Sequence, residues 1–164
     1  MKRWFGILFT AALLFGCAAQ PTFETVEDAD MLPVSASVRE VKMNLPGEAA
    51  KAAMESGGDS LYLCNGYTLT VQTLDGGDLN RSLRQVTGYS REELQPLRTK
   101  SDVAVRYDLT WTAAGEGGDH VARAVILDDG QYHYAVCVMA EAQMAGQLQK
   151  TWKDLLGSVT LRTD

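Results

Sequence analysis

Residues 38–164 predict an α+β fold, an antiparallel β-sheet with helices packed on one face, and three stretches carry that prediction. Asn65-Gly66 joins two strand-like runs, and this dipeptide supplies the paired positive φ angles of a two-residue hairpin turn. Val103, Val105, Tyr107, Leu109 and Trp111 alternate with Ala104, Arg106, Asp108, Thr110 and Thr112, the period of a half-buried strand. Residues 141–156 close the chain as an amphipathic helix, with Met144, Leu148, Trp152 and Leu155 on one stripe and Leu156 beside it. Consecutive strands interrupted by a short helix and ended by a long one suit a sheet whose apolar side is covered by helix.

Taken in order, residues 38–45 place Val41, Met43 and Leu45 in alternation, predicting a first strand that Pro46-Gly47 stops. Residues 48–56 are rich in Ala, Lys and Glu with little apolar bulk, which predicts a short surface helix or a loop. In the Asn65-Gly66 hairpin the turn sets the register: Cys64 faces Tyr67 and Tyr62 faces Leu69, with Val71 on the same, more apolar side. Asp78 is a good N-cap for a helix carrying Leu79, Leu83 and Val86, and Gly88 ends it. Ser90-Arg91-Glu92-Glu93 has the capping-box pattern, followed by Leu94 and Leu97, with Pro96 limiting the helix to about one turn. Gly115 to Gly118 reads as a flexible loop.

Residues 121–127 and 132–139 predict two more strands joined at Asp128-Asp129-Gly130. With Asp129-Gly130 as a two-residue turn, Leu127 would oppose Tyr132, Val125 would oppose Tyr134, and Ala122 would oppose Cys137. Cys137 then lies on the face opposite Tyr134 and Val136. Gly157 is the expected residue beyond the last helix, and Val159 and Leu161 allow a final short strand. The element order over residues 38–162 is similar to that of the PsbP/Mog1-like folds. That resemblance implies a binding or assembly factor and points to no site.

The first residues have another character. Lys2 and Arg3 precede an apolar run over residues 4–15, and Leu14-Phe15-Gly16-Cys17 follows. This stretch resembles a bacterial lipoprotein signal peptide. The resemblance implies removal of residues 1–16, lipidation of Cys17 and a lipid-anchored protein on the extracytoplasmic face of a cell membrane. The run is too short for a spanning helix, which needs about twenty apolar residues. Residues 17–37, with Glu24, Glu27, Asp28, Asp30, Pro21 and Pro33, read as an acidic tether that cannot bury enough apolar surface to order itself. A single domain, residues 38–164, follows.

The 164 residues carry 15 basic and 21 acidic side chains, a formal net charge of −6. Both basic residues of the signal would leave with it. Such an acidic balance argues against nucleic acid, whose phosphates call for a basic face. No glycine-rich phosphate loop, Cys-x-x-Cys pair or EF-hand spacing occurs, so no cofactor or metal is expected. Cys64 and Cys137 are an even pair in an exported protein; they can form a disulfide or remain two buried thiols.

For nucleophilic catalysis only His120 and His133 are available, and no Gly-x-Ser-x-Gly elbow accompanies them. Tyr62, Tyr67, Tyr132 and Tyr134 are the candidate ligand contacts, able to stack on a sugar or peptide if a concavity exposes them and otherwise part of the core. The expectation is therefore a non-enzymatic binding or assembly module that engages another envelope protein or an extracytoplasmic ligand. The alternatives are an envelope hydrolase using His120 or His133, and a ligand carrier serving a transporter.

Overall fold

A computed structural model describes residues 37–56, 59–115 and 117–162. The signal-like residues 1–16, Cys17 and the acidic stretch to residue 36 lie outside the described residues, as do Gly57-Gly58 and Glu116. Nine strands and three helices occur among the described residues: β1 (Val41–Lys42), β2 (Ala50–Ser56), β3 (Asp59–Cys64), β4 (Tyr67–Asp75), α1 (Leu79–Thr87), α2 (Arg91–Leu94), β5 (Leu97–Lys100), β6 (Val105–Gly115), β7 (Gly118–Asp128), β8 (Tyr132–Glu141), α3 (Ala142–Gly157) and β9 (Thr160–Leu161). Seven strands form one antiparallel sheet in the order β2-β3-β4-β8-β7-β6-β5, and β1 pairs separately with β9.

The α+β class with a closing helix is as expected, and the helices divide between the two faces of the sheet. On one face α3 buries Leu148, Trp152, Leu155 and Leu156 against Tyr67, Leu69, Val125, Tyr134, Val136 and Val138. On the other, Leu83 of α1 and the partly buried Leu94 of α2 meet Val105, Tyr107, Leu109, Trp111, Ile126 and Cys137. The strict alternation of β6 therefore serves α1 and α2 rather than α3, and both faces of the central strands are apolar. β8 accordingly reads as an almost unbroken buried run from His133 to Val138.

Most local signals act as expected. Cys64 faces Tyr67 and Tyr62 faces Leu69 across the Asn65-Gly66 turn, so the expected register forms, but only Gly66, at φ 81°, takes a positive φ, and the expected pair of positive angles does not occur because Asn65 stays on the negative side. The Asp78 carboxylate accepts from the backbone N–H groups of Asn80 and Arg81, and Gly88 ends α1 in the left-handed region. The Ser90/Glu93 capping box forms, with the Ser90 N–H donating to Glu93 Oε2 at 2.7 Å.

Several elements depart from the sequence reading. Residues 50–56, expected as helix or loop, form the edge strand β2, because β3 offers an open row of backbone donors and acceptors to the segment beside it. Helix propensity differs by only a few tenths of a kcal/mol among such residues, too little to outweigh that pairing. The first strand is only two residues long, and Leu45 is exposed. Leu97, expected to pack with Leu94 in a leucine stripe, begins β5 and is 69% exposed. Gly115 and Gly118, expected in a flexible loop, instead pair with each other at the ends of β6 and β7.

The β7–β8 register differs by two residues from the expected one. Leu127 faces Tyr134, Val125 faces Val136, and Ala124 faces Cys137. The reason is Asp129, whose Oδ1 accepts from the N–H groups of Gln131 and Tyr132 and so widens the turn to four residues. A shift of two keeps every side chain on its predicted face. At the end of α3, Gly157 stays helical instead of capping. Arg106 Nη2 donates to the Leu156 carbonyl at 3.0 Å, and the Ser158 hydroxyl donates to Leu155, so side chains satisfy the last turn.

Candidate functional site

A cleft of about 460 Å³ opens on the α3 side of the sheet, between residues 38–43 and the surface of β3 and β4. Its walls are Val38, Arg39, Val41 and Met43 on one side and Ser60, Tyr62, Val71 and Thr73 on the other, with Tyr132 between them. The segment is pinned from beneath by a buried polar knot. Tyr134, fully buried, donates its hydroxyl to Asp129 Oδ2 at 3.0 Å and accepts from the Arg39 N–H at 2.9 Å. Arg39 Nε lies 3.7 Å from Asp129 Oδ2, and Arg39 Nη1 donates to the Val103 carbonyl. Burial, together with the Asp129 carboxylate, pushes the Tyr134 hydroxyl up to about 12, so it stays a donor at any physiological pH.

The four candidate tyrosines thus separate. Tyr62 and Tyr132 line the cleft; Tyr134 supports it from behind, edge-on to Tyr132 with ring centroids 6.3 Å apart. Tyr67 lies elsewhere, edge-on to Trp152 at 6.1 Å beneath α3, where burial raises its hydroxyl pKa. What singles out Asp129 is spatial: in the sequence it is a turn aspartate, and only the fold shows that it also receives Tyr134 and Arg39.

Neither cysteine is bonded. Cys64 shares the α3 face with Tyr67, whereas Cys137 lies on the α1 face, so the sheet separates the two thiols in this structure. Burial pushes the Cys137 thiol up to about 12. Iodoacetamide at pH 8 is therefore expected to leave Cys137 unmodified in the folded protein and to label it once denaturant is added. Mass spectrometry of Cys137 peptides checks this, and rapid native labelling would contradict the buried placement.

The histidines also part. His120 Nδ1 lies 3.1 Å from the Gly118 carbonyl near the start of β7, and the residue lines a shallow surface space together with Cys64, Tyr67, Met139 and Met144. His133 has a closer set of partners that the sequence reading missed. Its Nδ1 is 2.7 Å from Ser82 Oγ, and its Nε2 is 3.6 Å from Asp128 Oδ2. Burial raises the Asp128 pKa, but the His133 ring and the Gly130 N–H outweigh it, leaving the carboxyl below its ordinary value. Ser82 was detectable in principle, since it falls on the apolar stripe Leu79, Leu83, Val86 of α1.

Serine, histidine and aspartate in a row invite comparison with a hydrolase triad, yet the geometry is that of a structural clasp. In such triads the carboxylate holds Nδ1 and the serine meets Nε2; here the two partners are exchanged. Ser82 and His133 are each 1% exposed, so no substrate carbonyl can reach the hydroxyl. The bond ties α1 to β8. Among the described residues no group of three metal-ligating side chains forms, and no helix is long and apolar enough to cross a membrane.

No protein-family model matches the chain, and comparison with curated proteins finds no match. Solved structures do match, by shape. The fold resembles that of cyanobacterial PsbP. The CyanoP protein of Synechocystis sp. PCC 6803 superposes with a TM-score of 0.53 at 9% identity over 79% of this chain and 97% of that one. LpqN of Mycobacterium tuberculosis superposes with a TM-score of 0.50 at 9% identity, covering 79% of this chain and 87% of the other. A Bacteroides thetaiotaomicron protein gives 0.52 at 11% identity over 76% of this chain, which spans only 46% of that longer protein. At these identities the likeness establishes the shared α+β fold.

Proposed function

We propose that the protein is a non-enzymatic binding or assembly module, held at the extracytoplasmic face of a membrane by lipid on Cys17, that engages another envelope protein or an extracytoplasmic ligand. One observation supports this reading: residues 38–43, the start of the domain in sequence, themselves form one wall of the tyrosine-lined cleft. Whatever occupies the cleft touches that segment directly. Exposed Tyr62 and Tyr132 surface offers an apolar body with a hydroxyl tip, suited to stacking on a sugar or a peptide side chain.

The shared fold supports the same class of function, and LpqN is described as involved in cell envelope biogenesis. The hydrolase alternative finds no support in the geometry, since the one hydroxyl at His133 is buried. A carrier role would use the same cleft with a small ligand in it.

Photo-cross-linking from position 132 in the full-length protein, in its native membrane, tests the proposal. A single reproducible cross-linked species is expected, lost in Tyr62→Ala and in Cys17→Ala, with radiolabelled palmitate incorporated into the parent but not into Cys17→Ala. Cross-linking indifferent to both substitutions would refute the reading.

A further inference from the structure

A second groove, independent of the cleft, lies on the other side of α3. The helix covers β8 and β7 but leaves the outer strands β6 and β5 uncovered on that face, and a space of about 530 Å³ remains beside it. The side chains of β6 on this face are polar, because its apolar set points to α1. Arg106, Asp108 and Thr110 line the groove with Arg123 of β7, which pairs across from Thr110.

Its charges do not balance within the protein. Arg106 is already satisfied: it holds Asp108 through two bonds of 2.9 and 2.8 Å and reaches the end of α3. Asp108 is the one acid among the described lining residues. Arg123 has no hydrogen bond or ion pair among the described residues, and its Nε is buried. Lys153 adds a second cation without a partner among them. Trp152, 1% exposed, also lines the groove, and its Nε1–H has no acceptor. Two orphaned donors on buried atoms, an arginine and an indole, in a protein of net charge −6 call for an acceptor from outside. The remaining lining is apolar, including Leu94, Leu156 and the exposed Leu97.

We infer that this groove binds an organic carboxylate carried on an apolar body, the carboxylate meeting the Arg123 guanidinium with Lys153 and the Trp152 N–H nearby, and the apolar part lying along Leu94, Leu97 and Leu156. A planar guanidinium matches a carboxylate in a two-bond fork, which favours that group over a point anion.

Titration calorimetry on the full chain with octanoate, octanol and inorganic phosphate as separate probes tests the inference. Octanoate is expected to bind, more weakly as salt rises, and to lose on the order of tenfold in affinity in Arg123→Gln. The indole N–H resonance of Trp152, assigned with Trp152→Phe, should shift with octanoate while that of Trp111 stays in place. Should Arg123→Gln fail to fold, Lys153→Gln at an exposed position carries the charge test, with a smaller loss expected. No binding of octanoate, equal affinity for octanol, or affinity unchanged by both charge substitutions would overturn the proposal. Phosphate binding as tightly as octanoate would overturn the apolar half of it.

Discussion

Trp152→Ala is expected to lower the free energy of unfolding by about 4 kcal/mol, the usual cost of removing a fully buried indole and leaving a cavity. Trp152 is 1% exposed and sits where α3 crosses the sheet, its ring edge-on to Tyr67 and surrounded by the side chains that hold helix to strands. Domains of this size have only about 5–15 kcal/mol in total, so a large part of the stability would go. Urea unfolding followed by circular dichroism measures it. Lys150→Ala, on the solvent side of the same helix and paired with Asp154, is expected to leave the midpoint nearly unchanged. Similar midpoints for the two variants would mean that α3 is not held to the sheet by its tryptophan.

Asp129→Ala is expected to cost about 3 kcal/mol, lowering the melting temperature by roughly 10 °C. The carboxylate is completely buried and accepts from two turn N–H groups and the Tyr134 hydroxyl while facing Arg39. Removing it leaves three donors without this acceptor and takes the nearby carboxylate from Arg39, which keeps the Val103 carbonyl, and each unsatisfied donor carries a desolvation penalty of about 1–3 kcal/mol before relaxation. Asp129→Asn keeps one oxygen for the turn and should lose less. Hydrogen exchange gives a second readout, because the Arg39 amide is bonded to Tyr134 and should exchange faster in Asp129→Ala. An Arg39 amide as protected as in the parent would show that the cleft wall does not depend on Asp129.

Features governed by neighbours in the chain were legible from the residues. Asn65-Gly66 sets the β3–β4 register because a two-residue turn leaves no freedom, and Asp78, Ser90 and Gly88 mark helix ends because their chemistry acts within four residues. The stripe Leu148, Trp152, Leu155 and the alternation of β6 identified buried faces through periodicity alone. The class of fold followed from these, as did the separation of Cys137 from the face of Tyr134.

Contacts between distant segments were not legible. β2 is a strand because β3 lies beside it, and the β7–β8 turn widens because one carboxylate gathers two N–H groups. Which face α1 would cover is invisible to a period that marks apolar positions without naming their partner. The same holds for both sites. Tyr62 and Tyr132 were candidates as residue types, but the strap over residues 38–43 makes them walls of a cleft. His133 was noticed without Ser82, 51 positions earlier, and Arg123 looked like any strand arginine. The sequence by itself determined the local elements, their caps and their apolar faces, since those energies arise among residues a few positions apart. Only the tertiary structure decided what meets across the sheet, because burial and orphaned polar groups exist only once distant segments exclude water together.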